Sequence, residues 1–277
     1  MLFRSKESNW LIEEFMLLAN QSVAEFVSTK VKGKAALTYI YRIHDNPDPE
    51  KLEKLNKFVA LFGHKFQNTD DAKLSTAINK LLAECKDKPE ESAVEMMTLR
   101  AMAKAKYSTD NIGHYGLGFK YYSHFTSPIR RYPDMLAHRL LAIYLEDGQS
   151  QDKELYEAMC KHSSEREQLA VDAERASIKY KMVEFMRDKL GMEFEGRISG
   201  LTEWGMFVEL EPTKIEGMIS LHTIKSDYYF FDEERYALFG KSTGKRFMLG
   251  DTVKVKVARA NVEQKQLDFE LIEEGVE

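Results

Sequence analysis

Hydrophobic and polar positions along this chain change rhythm near residue 190. Before that point the period is helical. From Ser8 to Val27 the apolar residues Leu11, Ile12, Phe15, Met16, Leu18, Ala19, Val23 and Phe26 recur every three or four positions, with Ser8 or Asn9 placed to cap. Ala35 to Ile43, rich in Leu, Tyr, Ile and Thr, reads as an extended stretch. Asp48-Pro49-Glu50 is a helix start: an N-cap, a proline with its φ already helical, then an acid at the positive end of the helix dipole. That helix is expected to stop at Gly63. Further helices are expected over Lys73 to Cys85, Pro89 to Lys106, Pro133 to Leu145 and Lys153 to Leu190, the last open to a break.

After Gly191 the period shortens towards two. Phe194 to Ser199, Gly205 to Leu210, Glu216 to Ser220, Thr252 to Ala260 and Gln266 to Leu271 each alternate over a few residues, punctuated by glycines. Five short strands in succession predict a small Greek-key barrel of the OB type. No internal repeat and no low-complexity linker interrupts the pattern.

Composition narrows the classes. The 277 residues are 43% hydrophobic and 31% charged, enough for about two domains that each bury a core. Cys85 and Cys160 lie far apart with no disulfide or metal spacing, which fits a reducing cytosol and argues against any zinc site or disulfide scaffold. The longest apolar run near the start, Phe15 to Ala19, is far short of the ~20 residues a membrane span needs. A cytoplasmic protein is the expectation. The net charge of −5 argues against a polyelectrolyte that binds nucleic acid with its whole surface, but not against a local basic patch.

The densest chemistry lies between the helices. His114 to Asp134 packs glycines, aromatics, hydroxyls and paired arginines into one loop that leads into a helix. Thr126 and Ser127 can donate to an anion. Arg130 and Arg131 offer planar forks for phosphate oxygens, and the helix start adds its dipole. Two readings stand side by side: a phosphate-recognising loop, or a solvated turn whose arginines pair with acids such as Asp134.

The run Thr126-Ser127-Pro128-Ile129-Arg130-Arg131-Tyr132-Pro133-Asp134, followed by Met135, Leu136, His138 and Arg139, resembles the signature of the ribonuclease II/R family of processive 3′→5′ exoribonucleases. Leu11 to Asn20 resembles a second segment of that family's catalytic domain. Glu203 to Leu210 and Phe231 to Arg235 resemble its ribosomal S-one-type OB domain. The resemblance covers roughly Lys6 to Glu273. It implies an α+β chain: the mostly helical C-terminal half of an RNB catalytic domain, residues 1–190, followed by a five-stranded OB-fold barrel, residues 191–277.

The resemblance also assigns roles. It makes Arg130 the family's essential arginine, which contacts the scissile phosphate and stabilises charge in the transition state. Loss of one such donor typically costs about 2.7–4 kcal/mol of barrier. Arg131 and Arg139 are expected to contact RNA backbone or to be structural, an ion pair being the alternative. Glu13 and Glu174 match family glutamates along the RNA path, where a carboxylate can accept from a ribose 2′-hydroxyl; without the resemblance each reads as a solvated helix acid. His114 and His124 are expected to pack or hydrogen-bond rather than act as bases. Tyr115, Phe119, Tyr121 and Tyr122 are expected in the core. In the barrel, Phe194, Trp204, Phe207 and His222 are the candidates for base stacking, some of them instead filling the interior. Lys241, Lys245, Arg246, Lys254, Lys256 and Arg259 make the C-terminal stretch locally basic.

The family holds Mg²⁺ with a cluster of aspartates, and no such cluster is present here. Asp45 and Asp48 sit in a turn, Asp70 and Asp71 at a helix entry, and Asp227 and Asp232 in a barrel insertion. Met1 to Ser5 also depart from the family pattern. The expectation is therefore a truncated piece of a Mg²⁺-dependent exoribonuclease, monomeric in its full-length form. Such a piece binds single-stranded RNA and releases no nucleoside 5′-monophosphates by itself. The competing reading is a natural single-stranded RNA-binding module without catalysis.

Overall fold

The computed structural model describes residues 6–29, 37–65, 71–86, 88, 90–232 and 235–273. Ala35, Asp70 and Pro89, the ends or members of expected elements, lie outside the described residues, as do Met1 to Ser5, Glu233 and Glu234. The chain divides into two compact units, one formed by residues 1–47 and 103–171, the other by residues 48–102 and 172–277.

In the first unit, helix α1 (Glu7–Thr29) buries only Asn20, Ala24 and Val27. The apolar residues of its first half, Trp10, Leu11, Ile12, Phe15 and Leu18, are each more than half exposed, so the periodicity predicts the helix but not its burial. Residues 37–40 lead into β1 (Tyr41–Ile43), which pairs antiparallel with β2 (Lys106–Ser108), Tyr41 opposite Ser108. Helix α5 (Tyr132–Leu145) and the first half of α6 (Lys153–Arg187) complete this unit. Tyr39, Ile40, Ile43, Tyr107, Leu136, Ala137, Leu140 and Cys160 form its core with Ala24 and Val27.

The second unit begins with α2 (Pro49–Ala60), α3 (Asp71–Cys85) and α4 (Glu91–Ala101). The expected start of α2 is realised: the Asp48 carboxylate accepts from the Glu50 N–H at 3.0 Å, and Gly63 beyond the helix takes φ +82°. The helix expected to run to Lys106 stops at Ala101, because Met102 is extended and the next residues are committed to β2. The second half of α6, which is continuous over its 35 residues, precedes the barrel.

The five expected barrel strands are present: β3 (Glu193–Thr202), β4 (Gly205–Leu210), β5 (Glu216–Ser220), β9 (Thr252–Asn261) and β10 (Gln266–Leu271), closed in the order β10-β5-β4-β3-β9. Alternation sends Ile198, Met206, Val208, Leu210, Ile219, Val255, Val257 and Phe269 inward. Gly217 is required where β5 crosses that interior, since a Cβ there would lie 2.6 Å from the Phe269 ring. Between β5 and β9 the chain inserts a three-stranded sheet, β6 (Tyr229–Asp232), β7 (Ala237–Gly240) and β8 (Arg246–Met248), which the sequence pattern does not reveal. Its Tyr236 stands edge-on to Phe58 of α2 at 5.9 Å and accepts from Arg100 of α4 at 3.4 Å.

Replacing Asp48 by Ala removes the α2 cap. It is expected to lower the stability of the second unit by about 1 kcal/mol, read as a lower urea midpoint at unchanged slope. An unchanged midpoint would mean that the cap is dispensable.

Candidate functional site

The loop between β2 and α5 is held by its own backbone requirements. Thr109 donates to the Glu157 carboxylate through its N–H and its hydroxyl, each at 2.6 Å, which fixes where the chain leaves β2. Further on, the Gly116 N–H donates to His44 Nδ1 at 2.8 Å. A Cβ at that position would also lie 2.8 Å from this nitrogen, so the approach needs glycine. Asn20, buried on α1, accepts from the Phe125 N–H at 3.0 Å and donates to the Tyr122 hydroxyl at 3.2 Å. His138 lies flat on Phe125, ring centroids 3.7 Å apart, with Nε2 2.8 Å from the Phe125 carbonyl.

The turn that carries the arginines is anchored by Asp134. This carboxylate is fully buried in the first turn of α5, and one oxygen, Oδ1, accepts from both the Ser127 N–H and Arg131 Nη2, each at 2.8 Å. The Ser127 carbonyl in turn accepts from the Arg130 and Arg131 N–H groups, closing the turn. The buried charge is offset by these two donors and by the helix N-terminus, while the second oxygen, Oδ2, is buried with no hydrogen-bond partner among the described residues. Arg131 is thus the ion-paired member of the pair. Arg130 is exposed and has no ion pair or side-chain hydrogen bond among the described residues.

Arg130 and Arg131 line a cleft of about 820 Å³ whose opposite wall is α6, with Tyr107, His162, Arg166 and Glu167 among its residues. Glu167 is already neutralised by a two-pronged pair with Arg42, at 2.6 and 3.1 Å, and Arg42 also lies over the Tyr107 ring. Arg166 has no such partner among the described residues, so the net field in the cleft is positive. The sequence reading missed Arg166 and His162, which sit in a charged run that looks like a solvated helix face. Only their spacing with Met159 and Ser163, one face of α6, marks them.

The two histidines of the loop are packing groups. His124 lies 2.8 Å from the Tyr107 hydroxyl, and burial, followed by the charges of Arg131 and Arg42, pushes its pKa down to about 3. His114 packs on Tyr122, and burial with the neighbouring His44 and Arg42 brings it down to about 4. Tyr122 is buried, while Tyr115, Phe119 and Tyr121 are half-buried. Glu13 on α1 and Glu174 on α6 are both exposed.

In the barrel the register separates the four candidate aromatic and histidine positions. Phe207 lies on the outward parity of β4, between the inward Met206 and Val208. It stands opposite Gly200 on one side and Met218 on the other. Trp204, in the β3–β4 turn, is 67% exposed, and its carbonyl accepts from the Leu221 N–H at 3.1 Å, which brings that turn against the one carrying the exposed His222. Phe194 shares the inward parity of Gly196 and Ile198, pairs with Val255 and is half-buried. The basic reading of β9 is tempered by register: Lys254 stands opposite Glu195, Lys256 opposite Glu193 and Glu270, and Arg259 is bonded to Asp268 at 2.7 Å.

Comparison with known proteins gives these features a family. Residues 3–147 match the RNB domain and residues 187–272 the S1 RNA binding domain. The chain is 40% identical over 267 residues to ribonuclease R of Aquifex aeolicus, a match covering 95% of this chain and 37% of that protein. It superposes on the apo form of Mycoplasma genitalium RNase R with a TM-score of 0.88 at 30% identity, covering 98% of this chain and 42% of that one. On the same enzyme in complex with ribose methylated single-stranded RNA the score is 0.85 at 28% identity, with the same coverage. The chain belongs to the RNB domain family, with an S1 RNA binding domain following, and it spans about two fifths of the length of these relatives.

Two outcomes follow from the site's electrostatics. Asp134→Ala leaves Arg131 and the Ser127 N–H without their acceptor and is expected to cost the first unit about 3–5 kcal/mol in urea unfolding; a loss under 1 kcal/mol would contradict the anchoring role. His114 and His124 are neutral in the fold down to about pH 4 and pH 3, whereas in the unfolded chain they take up protons below about 6.5. Their contribution therefore lowers stability as pH falls through that window. The urea midpoint of His124→Phe should depend less on pH there than that of the parent, and an identical dependence would refute the assignment.

Proposed function

We propose that this chain is the RNA-holding, C-terminal portion of a ribonuclease R-type 3′→5′ exoribonuclease, with residues 1–190 belonging to the catalytic domain and 191–277 forming the OB part. The observation that carries the reading is Arg130: a guanidinium held on an anchored turn, unpaired among the described residues, beside a cleft to which Arg166 adds a second unpaired cation. A planar fork in that position recognises a phosphodiester oxygen and stabilises charge that develops on it. Arg131 supports the turn through Asp134. Trp204, Phe207 and His222 give the barrel a sequence-tolerant surface for single-stranded RNA, with Phe194 at its inner margin. Glu13 and Glu174 are the carboxylates for ribose hydroxyls.

Hydrolysis in this family is expected to require Mg²⁺, and the residues here do not fit that ion. Mg²⁺ takes hard oxygen ligands, whereas the carboxylates next to Arg130 are committed: Asp134 to Ser127 and Arg131, Glu167 to Arg42. No catalytic step is therefore assigned to a metal at this place, and the isolated chain is proposed to bind RNA without degrading it. The same fact favours a second reading, a single-stranded RNA-binding module without catalysis. The protein is proposed to be cytoplasmic, and the full-length enzyme to be a monomer. Among the described residues no helix is long and apolar enough to cross a membrane.

The purified chain is expected to bind 3′-extended single-stranded RNA with an affinity that falls as salt rises, and to yield no mononucleotides with Mg²⁺. Trp204→Ala and Phe207→Ala should each weaken binding by about 1–3 kcal/mol, and Arg130→Ala should reduce its salt dependence. Release of mononucleotides by the parent but not by Arg130→Ala would overturn the proposal of an inactive chain.

A further inference from the structure

Three helix ends in the second unit converge on a mixed set of donor atoms. After α2, Gly63 reverses the chain so that the His64 N–H bonds back to the Val59 carbonyl at 3.1 Å, which brings the imidazole to the end of that helix. Cys85 is the last residue of α3, and Glu90 immediately precedes α4. One imidazole nitrogen, the Cys85 Sγ and a Glu90 oxygen all lie within 4.8 Å of one another. His64 Nε2 is 3.1 Å from Glu90 Oε1, and Nδ1 is 3.7 Å from Glu84 Oε2.

These are not surface groups that meet by chance. Cys85 is 1% exposed and His64 9%, and the Glu90 side chain is 11% exposed. The Cys85 thiol has no hydrogen-bond partner among the described residues, and burial, with the Glu90 charge next, pushes its pKa up. A buried, unpartnered sulfur beside an imidazole and a carboxylate is a donor set without an acceptor. The cysteine spacing argues against any zinc site, but the fold assembles these donors from positions too far apart in sequence for spacing to show.

We propose that His64, Cys85 and Glu90 bind a divalent ion of the zinc class through Nε2, Sγ and a carboxylate oxygen, with water in the fourth position. Imidazole, thiolate and carboxylate are the ligands of zinc, whereas Mg²⁺ demands oxygens alone. A dication with one thiolate and one carboxylate leaves a neutral first shell, the state that a buried site tolerates. Glu84 Oε2, 3.7 Å from Nδ1, places a negative charge beside that nitrogen, which favours a proton on Nδ1 once Nε2 is taken by the ion. Binding replaces the Nε2–H bond to Glu90, the imidazole proton passing through solvent to Nδ1, and the Cys85 thiol proton is released to water. The ion then ties the ends of α2 and α3 to the start of α4.

The test uses the whole chain, stripped with a chelator and titrated with Co²⁺. One equivalent is expected to produce a thiolate-to-cobalt charge-transfer band in the near ultraviolet and tetrahedral bands in the visible, both bleached by Zn²⁺. Cys85→Ser should lose the charge-transfer band and Cys160→Ser should keep it. Glu84→Gln should retain the spectrum with affinity lowered about 10–100-fold. Zn²⁺ should raise the melting temperature of the parent and not that of His64→Gln, a variant that keeps the test valid if Cys85→Ser does not fold. No bands and no Zn²⁺-dependent shift in the parent would overturn the proposal, as would bands that persist in Cys85→Ser.

Discussion

The candidate site depends on one buried carboxylate. Asp134 sits where α5 begins, wholly out of solvent, and its Oδ1 accepts from the Ser127 N–H and from Arg131. Burying that charge is costly, and the cost is offset by the two charge-assisted bonds and by the positive end of the helix. Two consequences follow from the same contact. Arg131 is drawn inward as the counter-ion, and the turn closed on the Ser127 carbonyl leaves Arg130 outward with no partner among the described residues. Two adjacent residues of one type are given opposite tasks by a single acid three residues downstream.

The barrel solves a comparable problem by parity. Its interior is supplied by Ile198, Met206, Val208, Ile219, Val255 and Phe269, which frees Phe207 and Trp204 to present flat surfaces outward. Outward lysines on β9 face carboxylates on both neighbouring strands, so the barrel's capacity for single strands rests more on stacking than on net charge. Helix α1 contrasts with both. Trp10, Leu11, Ile12 and Phe15 on its first turns remain more than half exposed, an accumulation of uncovered apolar side chains that favours association.

Much of this was legible in the sequence wherever a local rule decided the outcome. The Asp48-Pro49 start, the entry into α5 at Pro133 and all five barrel strands follow from capping chemistry and alternation. What stayed hidden was decided by partners distant in sequence. Lys106–Ser108 follows Ala103-Lys104-Ala105, a helix-favouring run, and becomes a strand only because β1 is there to pair with it. The β6–β8 sheet consists of strands of three or four residues, too short for alternation to register. In the site, the motif pointed to Arg130 and left Arg131 divided between RNA and an ion pair, a choice that needed the position of Asp134. Arg166 and the His64–Cys85–Glu90 cluster carry no local signal, because only tertiary packing gives their side chains a common space.

The most direct measurement is amide hydrogen exchange at Ser127. If the Asp134 carboxylate holds the turn, the Ser127 amide is protected far more strongly than the amide of the exposed Ile129 two residues on, and Asp134→Ala abolishes that protection while the Tyr107 amide, which donates to the Ser164 hydroxyl at 3.0 Å, keeps its own. Exchange at Ser127 as fast as at Ile129 in the unaltered chain would contradict the account, since the turn closed on the Ser127 carbonyl would then lack its anchor to the start of α5.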